Sequence, residues 1–371
     1  MKIINIDEWH KYINSKFYKK GGIVFSSSGT TGLSKSIIYP NKTIKNANKR
    51  LKELMCLTPL KKNSKIVMLW GYGLFPPAFY YTQTFCELGH IVYPLGSGKN
   101  YKSELKIREL YNILPDVIIG MPSYILKICN MLEDNGYLND IKRNIKFIVT
   151  GGELLTDGIR HRIERMLDTK IYDSYGMLQV PMIAGECRCG KLHLSKDYVA
   201  EVLVNDKEIK KSGKGVLLLT SNHIFSEVRM LRFKTNDIVF LENQKCKCGY
   251  STKTIKIIGR NNNIQKIKGQ IVDFDELLHY LDDKGYDGEY YIEVVKEPTD
   301  TVIFHVSNNV YVEELKKYID DIISFSYIIS KYFFNVIYRI FSSKDNEFSI
   351  LTTNTGKANR IIIKDKRDDD I

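Results

Sequence analysis

Two short stretches carry the ligand chemistry of a metal. GECRCGKLH holds Cys187, Cys189 and His193, and KCKCGY holds Cys246 and Cys248. Two Cys-x-Cys pairs, each followed by glycine, with a histidine nearby, suit a tetrahedral Zn2+ knuckle of thiolates and imidazole. A closed four-ligand set would be structural, pinning two β-rich loops together. The competing reading is a group of reduced surface thiols. A different chemistry belongs to VFSSSGTTGLSKSIIY at residues 24–39. There Ser26, Ser27, Ser28, Gly29, Thr30, Thr31 and Gly32 follow a strand-like run. They offer hydroxyls and backbone N–H groups on a pliant backbone, the parts needed to wrap phosphate oxygens, and Lys35 adds a positive charge. The P-loop pattern G-x-x-x-x-G-K-[ST] does not fit, because Ser34 stands where its second glycine must be. A polar loop without a ligand is the alternative.

The elements that position these residues alternate in type. GGIVFSS, SKIVMLWG, HIVYPLG, PDVIIGMP, IKFIVTGG and KIYDSYG read as short β-branched strands, with helical patterns such as KTIKNANKRLKELMCL and SYILKICNMLED between them. That alternation predicts an α/β domain of layers around a mostly parallel sheet. From residue 191 to 259 the strands YVAEVLV, GVLLLTS and DIVFLEN predict a β-rich subdomain. After IIGR the order is strand EYYIEVVK, strand TVIFHVS, helix YVEELKKYIDDIIS and strand FNVIYRIF. In that helix Val312, Leu315, Ile319 and Ile322 share one face. This predicts a small α+β C-terminal domain, and the polar RNNN at 260–263 suits a hinge. The expected division is 1–260 for the large domain, with the β-rich part at about 181–259, and 261–371 for a small mobile one.

The chain has 371 residues and a formal net charge of +12. Its lysines are spread beside acids, which reads as a solvated basic surface rather than a binding stripe. No basic-aromatic motif or recognition-helix spacing points to nucleic acid. No apolar run reaches the roughly 18 residues of a membrane span, and the N-terminal stretch lacks the apolar centre of a signal peptide. A soluble, cytoplasmic protein without membrane association is expected. Seven cysteines without a secretory signal argue against a disulfide framework. Cys56, Cys86 and Cys129 lie in apolar sequence and read as inert core residues.

SSGTTGLSK resembles the phosphate-binding loop of the adenylate-forming superfamily, which includes acyl- and aryl-CoA synthetases, peptide-synthetase adenylation domains and luciferases. Further resemblances follow in the family's order. WGYGLFPPAFYY and PLGSGKN are similar to the phenylacetate-CoA ligase branch. Gly151, Gly152 and Glu153 match the segment lining the adenine. DSYGMLQV matches Tyr-Gly-x-Ser/Thr-Glu at Tyr175 and Gly176, and RFKTNDIV matches Arg-x-x-Thr-x-Asp at Arg232, Thr235 and Asp237. IGRNNNIQKIKGQIV resembles the hinge segment, with Asn262 in place of its aspartate. TNTGKANR resembles the C-terminal Gly-Lys-x-x-Arg, with Lys357.

The resemblance implies an α/β enzyme that activates a carboxylic acid with ATP as an acyl-adenylate. It then passes the acyl group to the pantetheine thiol of coenzyme A or of an acyl or peptidyl carrier protein. On this reading Ser27, Ser28, Gly29, Thr30, Thr31, Gly32 and Lys35 hold the pyrophosphate oxygens. Tyr175 stacks on adenine, Asp237 accepts from the ribose hydroxyls, and Arg260 donates to the ribose. Lys357 bridges the substrate carboxylate and the α-phosphate as charge gathers between them. The resemblance also selects Cys187, His193, Cys246 and Cys248 as zinc ligands, with Cys189 as substitute. The aromatics at 75–81 line an acid pocket or belong to the core.

Two positions depart from the pattern. Leu178 replaces a hydroxyl residue, and Gln179 replaces the glutamate that helps hold Mg2+. A neutral amide is a poorer ligand for a hard cation. The segment before the phosphate loop is also shorter than in the relatives. An active but trimmed ligase and a degenerate nucleotide-binding homologue are the two outcomes.

Overall fold

The computed structural model describes residues 3–17, 21–26, 36–97, 103–225, 228–267, 270–284, 290–296, 301–306, 312–317, 335–340 and 360–365. Its contacts form two compact units. The first is built chiefly from Met1–Leu155 and Arg160–Ile258, and the second chiefly from the chain beyond Gly259.

In the first unit, helix α1 (Ile6–Phe17) begins with a reciprocal cap. The Glu8 amide donates to Asn5 Oδ1 at 2.8 Å, and the Asn5 amide donates to Glu8 Oε2 at 3.3 Å. Two donors that a helix start leaves orphaned are thereby satisfied. Trp9 and Ile13, one turn apart, are fully buried. They cover β1 (Ile23–Ser26) and β2 (Ser36–Tyr39), an antiparallel pair closed by Ser26 opposite Ser36. The sequence places GGIVFSS among the strands of the layered sheet, but β1 and β2 form a separate two-stranded sheet. Phe25, Ile37 and Tyr39 pack with Trp9 and Ile13 in one cluster, so the hairpin gains its burial without joining the larger sheet.

Next come α2 (Asn41–Met55), β3 (Lys65–Met68), α3 (Pro76–Glu87), β4 (Ile91–Tyr93), α4 (Ser103–Ile113), β5 (Val117–Gly120), α5 (Pro122–Asp134), α6 (Leu138–Asn144), β6 (Phe147–Gly151), α7 (Asp157–Leu167) and β7 (Lys170–Met177). The strands lie parallel in the order β4-β3-β5-β6-β7. Every residue of β5 and β6 is buried, as for strands covered by helices on both faces. At β7 the direction reverses. The antiparallel β8 (Val180–Glu186), β9 (Leu192–Leu194), β14 (Thr254–Arg260), β13 (Val228–Glu242), β12 (Gly213–Phe225), β10 (Val199–Val204) and β11 (Glu208–Lys210) continue the same 12-stranded sheet. The β-rich stretch is therefore the antiparallel wing of the α/β sheet. Among the described residues, no helix is long and apolar enough to cross a membrane.

The second unit contains the hairpin β15 (Ile264–Ile267) and β16 (Gln270–Asp273), followed by α8 (Phe274–Asp283). Asp273 caps α8 by accepting from the amides of Asp275 at 3.1 Å and Glu276 at 3.3 Å. A four-stranded sheet has the order β19 (Asn335–Ile340), β18 (Thr301–Val306), β17 (Tyr290–Lys296), β20 (Ile361–Asp365). Phe274, Leu277, Leu278 and Leu281 of α8 bury against Ile292, Val294 and Phe304 of that sheet. Residues 312–317 are helical, with Val312 and Leu315 buried as their spacing predicts. Ile319 and Ile322 lie outside the described residues.

Candidate functional site

Parallel sheets bind ligands beyond the carboxyl ends of their strands. At the end of β6, Gly151 pairs with Ser174 of β7. A Cβ on Gly151 would lie 2.5 Å from Ser174 Oγ and 2.7 Å from its carbonyl oxygen, so only glycine fits. The Ser174 hydroxyl donates to the Thr150 carbonyl at 2.6 Å and ties the two strand ends together. Gly152 then turns the chain with φ +86°, a left-handed conformation that favours glycine. Glu153 reaches back to the start of α5, where it accepts from the Ser123 hydroxyl at 2.7 Å and the Ser123 amide at 3.2 Å.

One strand further on, the phenol of Tyr175 donates to Asp237 Oδ2 at 2.5 Å. Asp237 is buried on β13, and its amide donates to Thr235 Oγ1 at 3.1 Å. The Thr235 hydroxyl in turn donates to the Leu217 carbonyl at 3.0 Å. Tyr175, Thr235 and Asp237, three motif positions distant in sequence, thus form one hydrogen-bonded group. Arg232 faces another way. Its guanidinium grips Glu201 through Nε and Nη2, at 2.8 and 3.1 Å, a forked pairing that braces β13 on β10. Gly176 meets the Met182 amide, 2.9 Å from where a Cβ would stand.

Behind these turns lies a polar cluster. Asp173 accepts from the Thr150 hydroxyl at 2.7 Å, and its amide donates to Glu186 Oε2 at 2.8 Å. Arg160 donates to that same oxygen at 2.8 Å. Burial, and then repulsion from Glu186, push the Asp173 carboxyl up to about 7, against the lowering pull of Thr150 and Arg160.

Gln179 is buried at the turn between β7 and β8, with its amide nitrogen 3.2 Å from Nε2 of His10 on α1. The amide N–H is positioned to donate to the imidazole, so this side chain joins the turn to the N-terminal helix. The carbonyl of Leu178 accepts from the Tyr39 hydroxyl at 2.5 Å, which ties the same turn to β2.

Ser27, Ser28, Gly29, Thr30, Thr31, Gly32 and Lys35 lie outside the described residues, as does Lys357. β1 and β2 are described on either side of the phosphate-loop sequence. There the Ser36 hydroxyl donates to Ser26 Oγ at 3.3 Å. Arg260 and Asn262 belong to the second unit. The Arg260 amide donates to Asp275 Oδ2 at 2.7 Å, and its side chain is exposed. Asn262 lies in the short 3-10 turn Asn261–Asn263, and its carbonyl accepts from the Gln265 side chain.

The cysteine stretches meet at the junction of β8, β9 and the loop after β13. One ligand atom each from Cys187, His193, Cys246 and Cys248 lies within 4.8 Å of the others. Cys187 and Cys246 sulfurs are 3.8 Å apart, and Cys248 Sγ is 3.3 Å from His193 Nε2. A disulfide needs about 2.05 Å. A tetrahedral Zn2+ with bonds of about 2.3 Å to sulfur holds two sulfurs about 3.8 Å apart. The donor set therefore fits a zinc ion that closes all four positions. His193 Nδ1 lies 3.3 Å from Thr252 Oγ1, a second contact that fixes the ring with Nε2 toward the Cys248 sulfur. Cys189 is exposed and outside the cluster.

Cys129 is buried as expected, but Cys56 and Cys86 are exposed. They occupy the C-terminal ends of α2 and α3, where an apolar neighbourhood in sequence does not become a buried position. Sequence reasoning also passed over His10, Asp173 and Lys106. Asp173 stands beside a recognised motif, in DSYG, and was open to notice. His10 and Lys106 sit in ordinary amphipathic helices and gave no signal.

No family model matches the sequence. Phenylacetate-coenzyme A ligase of Thermus thermophilus is 26% identical over 254 residues, covering 66% of this chain and 56% of that protein. The Escherichia coli phenylacetate-coenzyme A ligase is 28% identical over 275 residues, covering 69% and 62%. The chain thus spans little more than half the length of these curated relatives. Among solved structures, a 2-hydroxyisobutyryl-CoA ligase in the postadenylation state, in complex with 2-HIB-AMP, superposes with TM-score 0.78. It is 16% identical, with 98% of this chain and 80% of that one covered. An anthranilate CoA ligase in complex with anthranoyl-AMP gives TM-score 0.63 at 13% identity, covering 90% and 66%. The chain is thus similar in sequence to phenylacetate-coenzyme A ligases, and its fold is that of the CoA ligases superposed here.

Proposed function

We propose that this chain activates a carboxylic acid, aryl or small acyl, with ATP and transfers the acyl group to a pantetheine thiol. In the first half a carboxylate oxygen attacks the α-phosphorus, the bond to the bridging oxygen breaks, and pyrophosphate leaves. In the second half the thiolate attacks the acyl carbonyl, AMP leaves, and a thioester remains. The observation that carries the reading is the joining of Tyr175 and Asp237 beside the glycine turn of Gly151 and Gly152. An aromatic ring and a buried carboxylate at a strand-end turn suit a purine and a ribose diol. The loop of Ser27, Ser28, Gly29, Thr30, Thr31, Gly32 and Lys35 is assigned to the departing pyrophosphate. Lys357 is assigned to the charge that develops between carboxylate and α-phosphate, and Arg260 to the ribose. The hinge role is given to Asn262.

The relatives are coenzyme A ligases, which favours coenzyme A over a carrier protein as acceptor. Cys187, His193, Cys246 and Cys248 would hold a structural Zn2+ that clamps the antiparallel wing. Gln179, engaged with His10, offers no carboxylate to Mg2+, so on this reading a magnesium ion is held by the nucleotide's phosphates and water.

Pyrophosphate exchange into ATP, tested against aryl, fatty and amino acids, decides the matter. Exchange that depends on an added carboxylic acid is expected, and Lys357→Ala is expected to abolish it while ATP still binds. Unchanged exchange in that variant removes the assigned role. The buried Gln179 and the apolar Leu178 favour one second reading, a homologue that binds nucleotide without turnover. Saturable ATP binding with no exchange for any acid would establish that reading instead.

A further inference from the structure

Lys106, on α4, is fully buried. Its ammonium donates to the Gly96 carbonyl at 2.9 Å and to Tyr124 Oη at 3.0 Å, and it lies 5.4 Å from the centroid of the Tyr124 ring. Both acceptors are neutral, and no carboxylate among the described residues pairs with this cation. A buried charge without a counter-charge is costly, and a fold that only needed to fill the space would hold methionine or leucine there. Burial holds the Lys106 amine down to about 8. The ammonium has only hydrogens to give, so Tyr124 accepts from it. The hydroxyl's own hydrogen must point elsewhere, and no described residue accepts it.

The location makes this pair more than a packing detail. Tyr124 stands in the first turn of α5, directly after β5. Gly96 is fixed by its amide to the carbonyl of Met68, the last residue of β3, at 2.9 Å. Both therefore stand at the carboxyl ends of the parallel strands, as Gly151 and Gly152 do at the end of β6. The missing side chain of Gly152 faces Phe75 Cζ at 3.4 Å and Met121 Cε at 3.8 Å. Trp70 lies against Gly151, with Cζ2 3.4 Å from the place of its Cβ, and packs edge-on to Phe75. Apolar rings and a thioether thus surround the glycine turn, and Trp70 touches both places, since its carbonyl oxygen lies 3.8 Å from where a Cβ on Gly96, the partner of Lys106, would stand.

We propose that Tyr124, backed by Lys106, reads a second oxygen-acceptor group on the acid substrate, a second carboxylate in the strongest case, remote from the carboxylate that is adenylated. The proposal rests on the ligase reading. Tyr124 touches the distal group through its hydroxyl, and Lys106 is a positioning residue that orients and polarises that hydroxyl. The distal anion supplies the counter-charge that no described carboxylate provides. A site built around a buried donor discriminates strongly against analogues that leave it unmatched.

The test compares acids of one skeleton, benzoate against terephthalate and hexanoate against adipate, in pyrophosphate exchange by the full chain. Wild type is expected to favour the diacid, and Lys106→Met and Tyr124→Phe to reduce the diacid-over-monoacid ratio of kcat/KM by about tenfold or more. The loss should fall on the KM of the diacid. A ratio that is unchanged in a folded variant, or no diacid preference in wild type, overturns the proposal. Should Lys106→Met fail to fold, Tyr124→Phe, which keeps the ring, carries the test alone. If no acid of these pairs or of the wider aryl, fatty and amino acid panel supports exchange, the ligase reading falls, and the pocket is read directly by melting. Terephthalate must then raise the melting temperature of wild type more than that of Tyr124→Phe, and equal shifts sink the pocket as well.

Discussion

Tyr175 and Asp237, 62 residues apart in sequence, share a hydrogen bond of 2.5 Å between phenol and carboxylate. The bond joins the last strand of the parallel block to the antiparallel wing. It fixes the ring and the carboxylate in one mutual orientation. A ligand that uses both then loses less side-chain freedom on binding.

Tyr175→Phe keeps the ring and removes the donor. Hydrogen bonds to charged groups contribute about 1.5–3 kcal/mol, so the KM for ATP should rise by roughly tenfold or more. Initial rates of pyrophosphate exchange against ATP concentration measure it. An unchanged KM would show that the pairing does not serve the nucleotide.

The cluster of Cys187, His193, Cys246 and Cys248, read as a zinc site, predicts a selective dependence on its cysteines. Protein purified without chelator should contain stoichiometric zinc by elemental analysis. Cys248→Ser should lose the metal and lower the melting temperature by roughly 5 °C or more. Cys189→Ser should retain both, because Cys189 is exposed and outside the ligand group.

Asp173 gives a stability profile with a defined sign. Its folded-state value, pushed up from 3.8 to about 7, means that the native protein holds a proton the unfolded chain has released between those limits. Stability therefore falls as pH rises across that window, and the contribution is lost above the folded value. Asp173→Asn keeps the acceptor for Thr150 and removes the titration. It should flatten the slope and stabilise the protein above pH 7 by about 1–3 kcal/mol, a figure that allows for the partial solvent exposure of Asp173. Urea unfolding at a series of pH values reads the difference.

Gln179 is expected to matter for folding rather than for the cation. Gln179→Ala removes a buried partner of His10 and should lower stability by about 1–2 kcal/mol. The magnesium concentration for half-maximal exchange should stay where it is. A shift in that concentration without a loss of stability would assign the side chain to the metal after all.

The sequence alone determined the layered α/β class, because β-branched strands and amphipathic helices alternate from β3 to β7 and each must bury one face. It also determined which residues were candidates for the site, since glycine turns, paired cysteines and the order of the motifs are all local features. Tertiary structure decided the rest. GGIVFSS and KIYDSYG look alike as strands, yet β1 pairs in its own hairpin and β7 joins the sheet, because pairing depends on which apolar faces meet. Cys56 and Cys129 look alike in their apolar sequence neighbourhoods, yet one is exposed and the other buried. No periodicity marks His10 as the neighbour of Gln179, or Lys106 as the cation behind Tyr124. Such contacts join residues far apart in the chain, and their energies arise only when folding removes the water between them.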